Sequence, residues 1–274
     1  MQVRMSETQL KAKTVELRKS MLTMLNAAGS GHTGGALSSI DIMAVLYHNI
    51  LNHDPANHTM KERDRFYLSK GHVCPALYAV LADFGYFDKG ELMNLRKYGC
   101  ILQGHPCMLH TPGVEVSAGS LGQGLSIAAG TAIGAKLNKE LHRVYCLMGD
   151  GELQEGQIWE AAMTAGHYKL DNLCGIVDFN GLQIDGKVED VMNINPLREK
   201  WEAFNWNVIE TDGHNLVKVE EAFKQAAELK GKPTVIIAHT VKGKGISFME
   251  NSAGWHGVAP NNEQLAMALA ELDA

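Results

Sequence analysis

The chain has 274 residues, 45% of them hydrophobic, and a formal charge of −6 spread over interspersed acids and bases. This length suits one large α/β domain or two small ones, and without a run of Lys or Arg no nucleic-acid partner is expected. Five cysteines with no C-x-x-C pair, a polar N-terminal MQVRMSETQ and no run of about 18 apolar residues argue against a disulfide framework, a signal peptide and a membrane span, so a soluble cytoplasmic protein is expected.

Ser6 and Gln9 form a capping-box pattern, and Leu10, Leu17, Met21, Met24 and Leu25 continue it at helical spacing. A second helix is predicted from about Ser39, carrying Ile42, Val45, Leu46 and Ile50, with further helices over 75–84 and 88–97. Residues 99–119 read as loop, and the Ala- and Gly-rich 122–137 as a closely packed helix. From there the pattern alternates: strand 143–148, helix 155–168, strand 173–178, helix 196–205, strand 207–211, helix 215–230, strand 234–239 and helix 261–272. Short apolar strands alternating with helices predict an α/β fold, a parallel sheet with helices on both faces. No repeat, linker or domain boundary is evident, so a single domain over 1–274 with a helical N-terminal portion is expected.

Three glycine patterns compete for a function. Gly29, Gly31 and Gly34 satisfy G-x-G-x-x-G, but a dinucleotide site needs a strand before the first glycine, and here a helix precedes it. The plainer reading is a helix C-cap with Gly29 or Gly31 at positive φ, which leaves His32 unexplained. "GLQIDGKV" (181–188) matches G-x-x-x-x-G-K, but Val188 stands where a magnesium-binding Ser or Thr belongs, and no helix is evident after it. The third pattern is stronger. Gly149-Asp150-Gly151 ends one predicted strand and Asn180-Gly181 the next, across one strand–helix–strand unit. Ligands of open parallel sheets bind at these carboxyl ends. A carboxylate, an amide oxygen and a backbone carbonyl are hard donors suited to Mg²⁺ or Ca²⁺, with phosphate oxygens completing the shell. Either dipeptide alone would be a common turn; paired, they favour a metal and diphosphate site.

GDG followed thirty residues later by Asn180 resembles the thiamin diphosphate motif. "SGHTGG", "DRFYLSKGH", "LQGHP", "SLGQGLSIAAG", "MGDGELQEGQ", "DFNGLQIDG" and "WHGVAP", in this order over about residues 29–260, narrow the resemblance to the N-terminal, diphosphate-binding section of transketolase. The resemblance implies a thiamin diphosphate-binding fold, with the metal (Mg²⁺, or Ca²⁺ or Mn²⁺) held by Asp150, Asn180 and the carbonyl of Leu182. It implies Gly151 and His72 at the diphosphate and Gly119, Ser120 and Leu121 in a loop touching the cofactor. Ile184 would pack on its rings, and Glu155 would lie at a subunit interface between paired cofactors. His256 would serve both diphosphate and substrate, and His32 and His105 would face the sugar. Histidines suit proton transfers at hydroxyls because their pKa lies near the working pH. His167 and His214 also follow glycine but match no such position and are expected to be structural.

The implied activity moves a two-carbon ketol unit from a ketose phosphate to an aldose phosphate. A whole transketolase continues into a pyrimidine-binding and a C-terminal domain, and no glutamate here matches the one that protonates the aminopyrimidine ring. The resemblance therefore implies a split transketolase with a separate C-terminal-section partner, in an α₂β₂ assembly. Alternatives are a related enzyme for another keto-sugar phosphate, the α chain of a thiamin-dependent 2-oxo acid dehydrogenase, and a non-catalytic nucleotide-binding regulator built on Gly29–Gly34.

Overall fold

A computed structural model describes residues 4–274; Met1–Val3 of the polar N-terminal stretch lie outside the described residues. Five parallel strands form the sheet: β1 (Arg65–Leu68), β2 (Val144–Gly149), β3 (Leu173–Phe179), β6 (Asn207–Asp212) and β7 (Thr234–His239), in the order β1-β2-β3-β7-β6. A two-residue hairpin, β4 (Leu182–Gln183) with β5 (Gly186–Lys187), stands apart. β2, β3 and β7 are paired in register, Met148 against Val177 and Val177 against Ile237. Successive side chains of a strand face opposite ways, and the strands feed two cores accordingly. Tyr145, Leu147, Cys174, Ile176 and Ile236 join one core; Val144, Cys146, Met148, Val177 and Ile237 join the other.

The first core is covered by α1 (Glu7–Ala28), α2 (Thr33–Val45), α3 (Cys74–Phe84) and α8 (Leu216–Glu228). The second is covered by α4 (Gly124–Leu137), α5 (Gly156–His167) and α7 (Leu197–Ala203), with the fully buried Trp201 in its centre. α6 (Val188–Met192) follows the hairpin, and α9 (Asn262–Asp273) closes the chain against α1. The parallel α/β architecture with helices on both faces is as expected. No helix among the described residues is long and apolar enough to cross a membrane.

Three local expectations need correction. The second helix starts at Thr33 rather than near Ser39, and its end continues as a π-helical turn over Leu46–Ile50. Gly34 and Gly35 belong inside it because they allow close approach: a Cβ at Gly34 would meet Lys242 and the Trp255 carbonyl at 3.0 Å, and one at Gly35 would meet Val73 at 3.0 Å. The predicted helix 88–97 is only a 3₁₀ segment, Lys89–Asn94, and the chain then turns through Arg96 at φ 64°. β1, four residues long, was not among the predicted strands. The capping box at Ser6 is formed, with Gln9 N–H donating to Ser6 Oγ and Ser6 N–H to Gln9 Oε1. The helix then ends on Gly29 at φ 64°, with Gly31 at φ 144° completing the turn.

Candidate active site at the carboxyl ends of the strands

A cavity of about 350 Å³ opens at the carboxyl ends of β2 and β3, where open parallel sheets bind ligands. Its lining includes His32, His72, His105 and His256, from four separate segments of the chain. The His32 ring lies 4.9 Å from His72, 5.5 Å from His256 and 6.4 Å from His105, and His72 lies 5.3 Å from His256. Local structure fixes each one. His32 is the residue before α2, delivered there by the Gly29–Gly31 turn, and Thr33 Oγ1 donates to the Val258 carbonyl at 2.6 Å, tying this helix start to the segment of His256. His72 follows Gly71, whose Cβ would strike Ala118 at 2.9 Å. Burial lowers the His32 and His256 pKa values to about 4 and that of His72 to about 2, with neighbouring cations assisting, so all three are neutral at pH 7. Burial and then the Arg96 guanidinium lower His105 as well.

Asp150, Gly151, Asn180 and Leu182 line the same cavity, together with Gly119, Leu121, Glu155 and Ile184. Asp150 is buried, accepting the N–H of Gly151 at 2.8 Å and of Gly181 at 2.5 Å. Burial and the nearby Asp178 carboxylate push its pKa up to about 6. Gly151 lets the chain pass close to Gln183, whose Cβ would lie 3.2 Å from an added one. Glu155, exposed, and Ile184, 68% exposed, lie at the rim. Ser120 is exposed and outside the lining, the one candidate residue not brought to the cavity. His214 is structural as expected: its Nδ1 meets Asp41 at 2.8 Å and its Nε2 accepts the Val241 N–H at 2.8 Å.

Sequence reasoning missed four buried residues. Lys70 is ion-paired with Asp178 beneath the cavity, and Lys242 reaches both the Leu182 carbonyl at 3.2 Å and His256 Nδ1 at 2.9 Å. Glu152 accepts the N–H of Gly122 at 2.9 Å and of Gly149 at 3.0 Å as well as the Ser69 hydroxyl, so it joins three loops around the cavity. Lys70 stood within "LSKGH", Glu152 within "MGDGELQEGQ", and Asp178 opens "DFNGLQIDG"; Lys242 carried no motif.

The competing glycine readings fail on context. α1 runs into Gly29, so no strand feeds the Gly29–Gly34 pattern. In "GLQIDGKV" a short helix does start at Val188, contrary to expectation, but a β-hairpin replaces the phosphate-cradling loop before it.

Residues 10–272 match the family described as "Transketolase, thiamine diphosphate binding domain". The chain belongs to the transketolase family. It is 43% identical over 271 residues, 98% of each chain, to a 6-deoxy-6-sulfo-D-fructose transketolase subunit of Clostridium sp. (strain MSTE9). It is 41% identical to an apulose-4-phosphate transketolase subunit of Phocaeicola vulgatus, over 96% of this chain and 95% of that one. The crystal structure of Campylobacter jejuni transketolase superimposes with a TM-score of 0.92 at 36% identity, over 98% of this chain but 43% of the other. Against such whole transketolases the chain spans about two fifths of the length.

The residues fit a diphosphate and a hard cation. Asp150 is a buried carboxylate without a cationic side-chain partner among the described residues, and His32 Nδ1 is buried with no hydrogen-bond partner. Carboxylate, amide and carbonyl oxygens are the donor chemistry such a cation takes.

Proposed function

We propose that this chain is the thiamin diphosphate-binding subunit of a two-piece transketolase, one continuous domain over 1–274 that works with a separate C-terminal-section chain. The observation that carries the reading is the convergence of four histidines on a cavity that Asp150, Asn180 and Leu182 also line. The two half-length relatives, both named as subunits, support the division into two chains.

In this reading Asp150, Asn180 and the Leu182 carbonyl hold Mg²⁺ (or Ca²⁺ or Mn²⁺), and Gly151, His72 and His256 hold the diphosphate. Gly119, Leu121 and Ile184 contact the rest of the cofactor, and Glu155 meets a second subunit. Thiamin diphosphate supplies the electron sink for breaking and forming the carbon–carbon bond. His32, His105 and His256 hold and move protons at the sugar hydroxyls and carbonyl oxygen. Neutral imidazoles can accept a proton from a hydroxyl and return it. The acid for the aminopyrimidine ring and most sugar-phosphate contacts come from the partner, in an α₂β₂ complex in the cytoplasm.

Co-purification with the partner, followed by assay against a panel of ketose phosphates, 6-deoxy-6-sulfofructose and pyruvate, tests the proposal. Two-carbon transfer from a ketose by the complex and none by the lone chain is the expected result. Full turnover by the lone chain, or pyruvate as the preferred substrate, would overturn it.

A further inference from the structure

Asp178, near the end of β3, is completely buried and does not line the cavity. Its carboxylate accepts from Ser38 Oγ at 2.6 Å, Ser39 Oγ at 3.1 Å, Asn180 Nδ2 at 3.3 Å, the Lys70 ammonium and the Thr240 hydroxyl. An ionised carboxylate only accepts hydrogen bonds, so the Asn180 group turned toward it has to be the NH₂. The other side of the amide gives the same answer: Asn180 Oδ1 accepts the N–H of Leu182 at 3.1 Å, and a backbone N–H only donates. Rotating the amide by half a turn would set oxygen against carboxylate and NH₂ against N–H.

We infer that Asp178 is a positioning residue that orients the Asn180 side chain, so that its amide oxygen, and not its nitrogen, is available to a hard cation beside the Leu182 carbonyl. The inference rests on the proposed metal set and adds a residue to it. Asparagine oxygen and nitrogen have nearly the same shape, so packing alone chooses poorly between them, whereas a partner restricted to one hydrogen-bonding role chooses strictly. Outer partners that fix a ligand's orientation commonly change metal affinity 10- to 100-fold when removed.

The test is Mn²⁺ binding by the full chain with thiamin diphosphate, read by electron paramagnetic resonance, with circular dichroism as a check of folding. Asp178→Asn keeps the shape but can donate as well as accept, and is expected to bind Mn²⁺ at least tenfold more weakly. Thr240→Val removes another donor to the same carboxylate and leaves the affinity unchanged. The charge-conserving Asp178→Asn/Asn180→Asp variant restores binding to within about threefold, because the two oxygens of a carboxylate need no orienting. Where Asp178→Asn alone does not fold, Lys70→Met/Asp178→Asn removes both charges of the buried pair and is compared with Lys70→Met. Affinity unchanged by the Asp178→Asn substitution in either background, or no recovery in the swapped pair, overturns the orienting role. Absence of Mn²⁺ binding by the wild-type chain would instead remove the metal reading itself, and this inference with it.

Discussion

Lys242 donates to the Leu182 carbonyl at 3.2 Å while its Nζ lies 2.9 Å from His256 Nδ1. The side chain is 2% exposed, and burial, with the Lys70 ammonium nearby, lowers its pKa to about 8. This cation therefore meets the same carbonyl that the proposed metal would use. A like charge beside a metal weakens the metal's binding, and an opposite charge beside a diphosphate strengthens that of the diphosphate. Lys242→Met is expected to tighten Mn²⁺ binding alone by severalfold and to weaken thiamin diphosphate binding tenfold or more. Calorimetric titrations of each ligand separate the two; losses of both would mean that the lysine only supports the fold.

Asp150 carries a related conflict. It is a buried carboxylate whose hydrogen-bond partners are two backbone N–H groups, with no ion-paired cationic side chain among the described residues, an arrangement that costs stability until a cation binds it. Asp150→Asn removes the buried charge but keeps only one acceptor oxygen, so its NH₂ faces one of the two backbone N–H groups. The gain from the lost charge is offset by about 1–3 kcal/mol for that unsatisfied N–H, and the ligand-free chain should melt within a few degrees of the wild type at pH 7. The same variant should lose the rise that Mg²⁺ with thiamin diphosphate gives the wild type. A variant that keeps the ligand-induced rise would contradict this account.

The neutral histidines set a pH dependence. His32 and His256 take up protons near pH 6.5 when unfolded but only near 4 when folded. The unfolded chain therefore binds more protons between these values, and stability falls as pH drops through that window. Thermal melts of the ligand-free chain between pH 7 and 4.5 should show this decline. Replacing His32 and His256 together by Gln should reduce it, with the still lower His72 carrying part of what remains.

Glu152 holds the site by another route. Its removal strands the buried N–H of Gly122 and the part-buried N–H of Gly149, at up to about 1–3 kcal/mol for each unsatisfied group. Glu152→Ala is expected to melt at least 5 °C lower and to bind thiamin diphosphate more weakly. Glu152→Gln, which keeps an acceptor oxygen, should recover much of both. Equal effects of the two substitutions would show that shape, not hydrogen bonding, is what matters.

Strands β2, β3 and β7 were legible in the sequence because burial on both faces makes their apolar runs continuous. β1 was not, since RFYL is only four residues long and its pairing with β2 lies some eighty residues along the chain. α2 was placed late because glycine pairs ordinarily mark loops, whereas Gly34 and Gly35 are small to let Lys242, Trp255 and Val73 approach. The histidines and the GDG-to-asparagine spacing carry local signals. Lys242 acts through a contact across 60 residues, to Leu182, of which local sequence gives no hint; Asp178 lies two residues from Asn180, but its anchor Ser38 is 140 residues away.

α2 is buried on every face along its whole length, and His32 immediately precedes it. Such a helix leaves evolution almost no room: any change in its side chains disturbs the core as well as the imidazole it carries. Latitude for new substrates therefore belongs to the exposed rim, with Glu155 and Ile184, and to the companion chain of the proposed assembly. In the proposed two-piece enzyme, altering or exchanging the companion would change the substrate while α2 and the imidazole beside it stay in place.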